Sequence, residues 1–121
     1  MAAKTLDDLR FDVQTWQQGA AAVVGVSGEV DPTSAPALCE AVDAAIDSGT
    51  GVVVVDLTAV GFIDSAGLAA LVQCLKRAAV HGVTLRLVVN DPHLLKLLSI
   101  TGLQNVFDIY LDMDVAAGSV K

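Results

Sequence analysis

Residues 52–68 read VVVVDLTAVGFIDSAGL, and the way this stretch divides decides the fold. Four consecutive valines at 52–55 leave no alternation of apolar and polar positions, the pattern of a strand buried on both faces of a sheet. The strand is placed at 52–57, followed by a short loop over 58–63. Beyond Asp64-Ser65, the residues Leu68, Leu71, Val72, Leu75 and Ala79 recur at intervals of three and four. That spacing predicts a helix over about 66–80, closed by His81-Gly82.

Working outward toward the N-terminus, residues 9–16 read as an edge strand and 21–27 as a second strand, with Gln17-Gln18-Gly19 as the turn between them. Asp31-Pro32 announces a helix over 33–48, since a proline near a helix start gives up only an amide that has no partner there. Toward the C-terminus, 83–89 is another buried strand and Asn90-Asp91-Pro92 a helix-start signal. A short apolar helix follows on Leu94, Leu95, Leu97, Leu98 and Ile100, then a strand at 106–110 and a short helix at 113–118 capped by Asp112. The order β-β-α-β-α-β-α-β-α predicts an α/β fold. Its sheet is mixed and mostly parallel, with an N-terminal antiparallel edge strand and about four helices. No internal repeat or linker divides the chain, so residues 1–121 are expected to form a single domain with its core over about 10–115.

Composition narrows the function. The chain is 54% apolar and 17% charged, too apolar and too weakly charged for disorder. Its net charge is −7, and its seven lysines and arginines are scattered rather than clustered, a poor footprint for nucleic acid. No apolar run approaches the roughly 18–20 residues that span a bilayer, so no membrane insertion is expected. The opening MAAKTLDDLR lacks the apolar core of a secretory signal, so a cytoplasmic location is expected. Cys39, Cys74, His81 and His93 show no ligand-like spacing, so neither a metal nor a cofactor is expected. The two cysteines read as reduced, buried thiols.

The chemistry concentrates at Asp64-Ser65, which open a helix just beyond the carboxyl end of a buried strand, where open α/β sheets build their sites. On local spacing alone, helix capping accounts for both residues. Enzyme readings fit poorly. A nucleophile elbow needs a glycine two residues before the serine, and Ile63 stands there. No histidine is placed to act as the base that a serine nucleophile requires. A phosphate-binding loop needs several glycines and a lysine, which are missing. Asp56 lacks the acidic pair and late lysine of a phospho-accepting receiver.

Four segments add a further reading: Gly28-Glu29-Val30-Asp31, Val55-Asp56-Leu57, the run Val60 to Leu68, and Ser99-Ile100-Thr101-Gly102-Leu103. Their residues and order resemble the successive signatures of STAS domains, the anti-sigma factor antagonists of bacteria, over about residues 10–115. The resemblance implies that Ser65 is phosphorylated by an anti-sigma factor that is also a serine protein kinase, and that a phosphatase reverses this. It implies that Asp31 lies close by, and that Asp64, Ser65, Ala66, Gly67 and Leu68 help to form the partner-binding surface. Many such antagonists carry a second serine where this chain has Ala66. The function so implied is capture of an anti-sigma factor, which frees a sigma factor for transcription, without catalysis by the chain itself. Three alternatives stay open: an accessory subunit of a lipid or anion transporter, an antagonist regulated by redox state through Cys39 and Cys74, and an enzyme or nucleotide-binding module.

Overall fold

A hairpin starts the fold in the computed structural model, which describes residues 10–118. Strand β1 (Asp12–Gln18) runs antiparallel to β2 (Ala21–Val30), and the chain reverses at Gly19, whose φ of 59° lies in the left-handed region. Strands β3 (Val52–Ile63), β4 (Thr84–Val88) and β5 (Asp108–Tyr110) extend the sheet in the order β1-β2-β3-β4-β5. The pairs from β2 to β5 are all parallel. Parallel neighbours need crossovers, supplied by α1 (Ala35–Asp47), α2 (Ser65–Val80) and α3 (Pro92–Ile100). A 3-10 turn (Leu103–Asn105) leads into β5, and α4 (Met113–Ala116) closes the fold. This is the predicted α/β architecture with its antiparallel edge strand, and four α-helices lie among the described residues.

The four valines split between two layers. Val53 and Val55 join Val24, Leu87, Leu38, Val42, Leu71 and Leu98 in the main core, between the sheet and α1–α3. Val54 faces the other way, with Ala21, Val23 and Val88, and is covered by Ala116 and Ala117 at the end of α4. This rear cover is small but well tied. Arg86 donates through Nη1 to the Ala116 carbonyl at 2.8 Å, and Gln18 donates to the Asp114 carboxylate at 2.7 Å. Farther along the rear face, the ring of Trp16 lies against Gly25, where a β-carbon would come within 2.7–2.8 Å of the indole.

The largest departure from the sequence reading is at 58–63, which is strand rather than loop. Strand β3 has 12 residues and stays paired with β2 to the end, Val30 opposite Ile63. The pairing steps from Gly25↔Asp56 to Ser27↔Ala59, and from Gly28↔Val60 to Glu29↔Phe62. Each step places one extra residue on β3, so the strand carries two β-bulges. Along it Leu57, Val60 and Ile63 are buried while Thr58, Ala59, Gly61 and Phe62 are exposed. The resulting three-residue spacing hides the two-residue period of a strand. Asp56 serves the first bulge, its carboxylate accepting from the Thr58 amide at 3.0 Å and the Thr58 hydroxyl at 2.8 Å.

Other boundaries move less. β1 is shifted toward the turn, at 12–18 rather than 9–16, and Leu9 lies outside the described residues. β2 continues to Val30, because its last residues are held by the bulged part of β3. α1 begins at Ala35, with Ser34 at the N-cap and Pro36, not Pro32, in its first turn. α3 starts at Pro92 behind the Asp91 cap. β5 is cut to three residues by the preceding 3-10 turn.

Two glycines of the β2–β3 ladder should respond oppositely to substitution. Gly28 has φ 85°, and a β-carbon there would collide with the Arg10 carbonyl. Gly61 has nothing within 4 Å of that position. Gly28→Ala is expected to cost about 2–4 kcal/mol in urea unfolding and Gly61→Ala less than about 0.5 kcal/mol. Equal losses would contradict the register described.

Candidate functional site

The paired residues Val30 and Ile63 end β2 and β3 side by side, and the chain continues from them as Asp31 and Asp64. The Asp64 amide donates back to the Val30 carbonyl at 3.2 Å, which fixes the two exits against each other. Asp64 is the N-cap of α2: its backbone is extended and its carboxylate accepts from the Gly67 amide at 3.0 Å. Ser65 is the first helical residue, not the cap, and its side chain is exposed. The cap and the exposed hydroxyl are thus divided between adjacent residues.

Gly67 explains why α2 can start so near the sheet. A β-carbon there would lie 2.5 Å from Ile63 Cγ1, 2.9 Å from Val30 Cγ1 and 3.0 Å from the Val30 oxygen. Of the first-turn amides, that of Gly67 is occupied by Asp64 and that of Leu68 bonds to the Asp64 carbonyl at 2.9 Å. The amides of Ser65 and Ala66 have no protein acceptor among the described residues. They are the unpaired donors that make a helix start hospitable to an anion.

The Asp31 turn is built by a residue that sequence reasoning passed over. Ser34 is the buried polar side chain of this region, 7% exposed. Its hydroxyl donates to the Glu29 carbonyl at 2.9 Å and accepts from the Asp31 amide at 3.0 Å. The Asp31 carboxylate in turn accepts from the Thr33 amide at 2.9 Å and the Ser34 amide at 3.1 Å. A serine three residues after an aspartate was the available signal, since that spacing suits an aspartate-led turn.

Asp31, Asp64, Ser65 and Ala66 therefore come together at one sheet edge, each exposed or half-buried. Leu68 does not join them on the surface. It is 9% exposed and packs into the main core, because Leu68, Leu71, Cys74 and Ala78 form the stripe of α2 that faces the sheet. Gly67 is buried as well, so both support the turn from beneath. Phe62 was missed as a candidate because 58–63 was read as loop. It is 51% exposed, and it helps to line a shallow groove of about 120 Å³ with Val60, Gly61, His93, Leu94 and Leu97. Among the described residues no group of three or more His, Cys, Asp or Glu is placed to hold a metal ion. No described helix is long and apolar enough to cross a membrane.

A family model described as "Mlab, STAS domain" matches residues 13–111. The anti-sigma-B factor antagonist of Bacillus subtilis is 34% identical over 86 residues, which cover 71% of this chain and 78% of that protein. The crystal structure of an anti-sigma factor antagonist from Mycobacterium paratuberculosis superposes with a TM-score of 0.81 at 30% identity, covering 92% of this chain and 94% of that one. The phosphorylated form of the Bacillus cell fate determinant SpoIIAA shares the fold, with a TM-score of 0.66 at 17% identity over 93% of this chain and 100% of that one. The chain belongs to the STAS domain family.

Removing the Ser34 hydroxyl leaves the Asp31 amide and the Glu29 carbonyl without this partner. Ser34→Ala is expected to cost about 2 kcal/mol, and Asp64→Ala, which removes the α2 cap, about 1 kcal/mol. Urea denaturation of the two variants beside the parent measures both losses.

Proposed function

We propose that this STAS-domain protein is an anti-sigma factor antagonist whose binding is controlled by phosphorylation of Ser65. The observation that carries the reading is the setting of Ser65: an exposed hydroxyl on the first residue of α2, beside two amides with no acceptor among the described residues, at the sheet end from which both Asp31 and Asp64 emerge. The relatives named as anti-sigma factor antagonists support the class of partner. SpoIIAA, which has the same fold, exists in a phosphorylated form, in keeping with a covalent switch.

In the unmodified state the Ser65 edge meets an anti-sigma factor, and the sigma factor that the latter held is released. The exposed ring of Phe62 and the apolar groove beside it add contact area next to the turn. The anti-sigma factor, acting as a serine protein kinase, brings the ATP and transfers its γ-phosphoryl group to Ser65 Oγ, and ADP leaves. The seryl phosphate adds about 1.5–2 negative charges at neutral pH. The helix start tolerates that charge through its open amides, so the fold survives. A partner surface matched to a neutral hydroxyl instead meets a dianion beside two carboxylates. A phosphatase restores the hydroxyl.

The reading is tested by titrating a cognate anti-sigma factor calorimetrically against two variants. Ser65→Ala is expected to bind like the parent and to take up no phosphate. Ser65→Glu is expected to bind about 100-fold more weakly or worse, a differential of roughly 3 kcal/mol. Equal affinity of the two variants, together with phosphate incorporation into Ser65→Ala, would sink the proposal.

A further inference from the structure

The protein has two cysteines, and the fold brings them together where α1 meets α2. Cys39 lies in the second turn of α1 and is half-buried, whereas Cys74 lies in the middle of α2 and is buried. Their sulfurs are 4.0 Å apart, the Cys74 thiol donating toward Cys39. The Cys39 thiol in turn points at the Ala70 carbonyl, 3.9 Å away and one turn before Cys74. The Cys39 side chain therefore lies across the α2 backbone. One turn farther along both helices, Arg77 and Asp43 pair at 2.6 Å and hold the two in register.

We infer that Cys39 and Cys74 are a modification site at which a low-molecular-weight disulfide joins α1 to α2 through a reversible protein disulfide. To form the bond, the sulfurs close from 4.0 Å to about 2.0 Å by side-chain rotation and approach of the two helices. Their unequal burial assigns the roles. Burial, reinforced by the adjacent Cys39 sulfur, pushes the Cys74 thiol up, so it keeps its proton while Cys39 is the sulfur that a reagent meets first.

Cys39, as thiolate after losing its proton to solvent, attacks one sulfur of the reagent RSSR. A Cys39–SR bond forms, the reagent's S–S bond breaks, and RS⁻ leaves and takes a proton from solvent. The Cys74 sulfur then attacks the Cys39 sulfur. The Cys39–SR bond breaks, a second RS⁻ leaves, and it takes up the proton of Cys74. The two thiols lose two electrons together and RSSR becomes two RSH. The bond closes a loop across 35 residues of sequence separation, long enough to restrain the unfolded chain substantially. Both joined helices begin at the edge that carries Asp31 and Ser65, so the brace restrains that edge from behind.

The test uses the purified chain with oxidised glutathione under native conditions, then an alkylating agent, then intact-mass analysis. The expected product is lighter than the parent by two hydrogens, takes up no alkylating agent, and returns to two alkylatable thiols on reduction. Its thermal midpoint is expected to rise by about 10 °C. Amide hydrogen exchange across residues 64–68 is expected to slow. Cys39→Ser should gain neither crosslink nor glutathione adduct, and Cys74→Ala should stop at a glutathione adduct on Cys39. Two thiols that stay alkylatable in the oxidised parent, or a parent that stops at the mixed disulfide, would overturn the site. A crosslink that leaves exchange over 64–68 unchanged would overturn its reach to the Ser65 edge. None of these readouts involves an anti-sigma factor or phosphate, so their failure is separate from failure of the Ser65 reading.

Discussion

Everything at the edge that carries Ser65 depends on Val30 and Ile63 lying side by side. Both are buried, and the Asp64 amide closes on the Val30 carbonyl immediately beyond them. That single backbone bond makes two chain exits into one surface. It also sets where α2 begins, and Gly67 lets the first turn settle onto the two side chains without a β-carbon in the way. The two helices then run off in company, with Arg77 and Asp43 paired between them. That ion pair is about half exposed, so it fixes alignment more than it adds stability. The holding energy comes from the apolar layer beneath, where Leu38 and Val42 of α1 meet Leu71 of α2 over the valines of the sheet.

The same edge has a consistent electrostatic plan. Asp64 and Asp91 cap α2 and α3, Asp31 lies in the turn that leads into α1, and each carboxylate accepts from a backbone amide that follows it. Their charges oppose the positive ends of three helix dipoles. The edge is therefore already supplied with anions before any modification. A dianion placed at Ser65 would find two amides without an acceptor among the described residues but no described cation paired to the turn. This distinguishes a helix start that tolerates phosphate from one built to retain it.

The layer order of the fold was legible in the sequence because its two clearest signals are strong: the valine run at 52–55 and the three-and-four spacing after Ser65. Residues 58–63 were not legible, because each bulge sets two exposed residues between buried ones and so erases alternation. With that stretch went Phe62, whose exposure follows from its place in the second bulge. The turn at Asp64-Ser65 was located correctly, but local spacing could not divide the roles of cap and free hydroxyl between the two residues. The division depends on the backbone bond to Val30, a residue 34 positions earlier in the chain. For Leu68 the two signals disagreed: the resemblance set it on the contact surface and the apolar spacing set it on the stripe of α2 that faces the sheet, where it lies. The proximity of Cys39 to Cys74 is likewise a property of helix packing that no spacing announces.

The single tryptophan gives the rear of the sheet an optical property. Trp16 leans on Gly25, and its indole N–H is bonded to Gln18 at 3.1 Å, on the face away from α1–α3. Its emission is therefore a signal from the β1–β2 hairpin, and it reads whether that hairpin is assembled on the sheet.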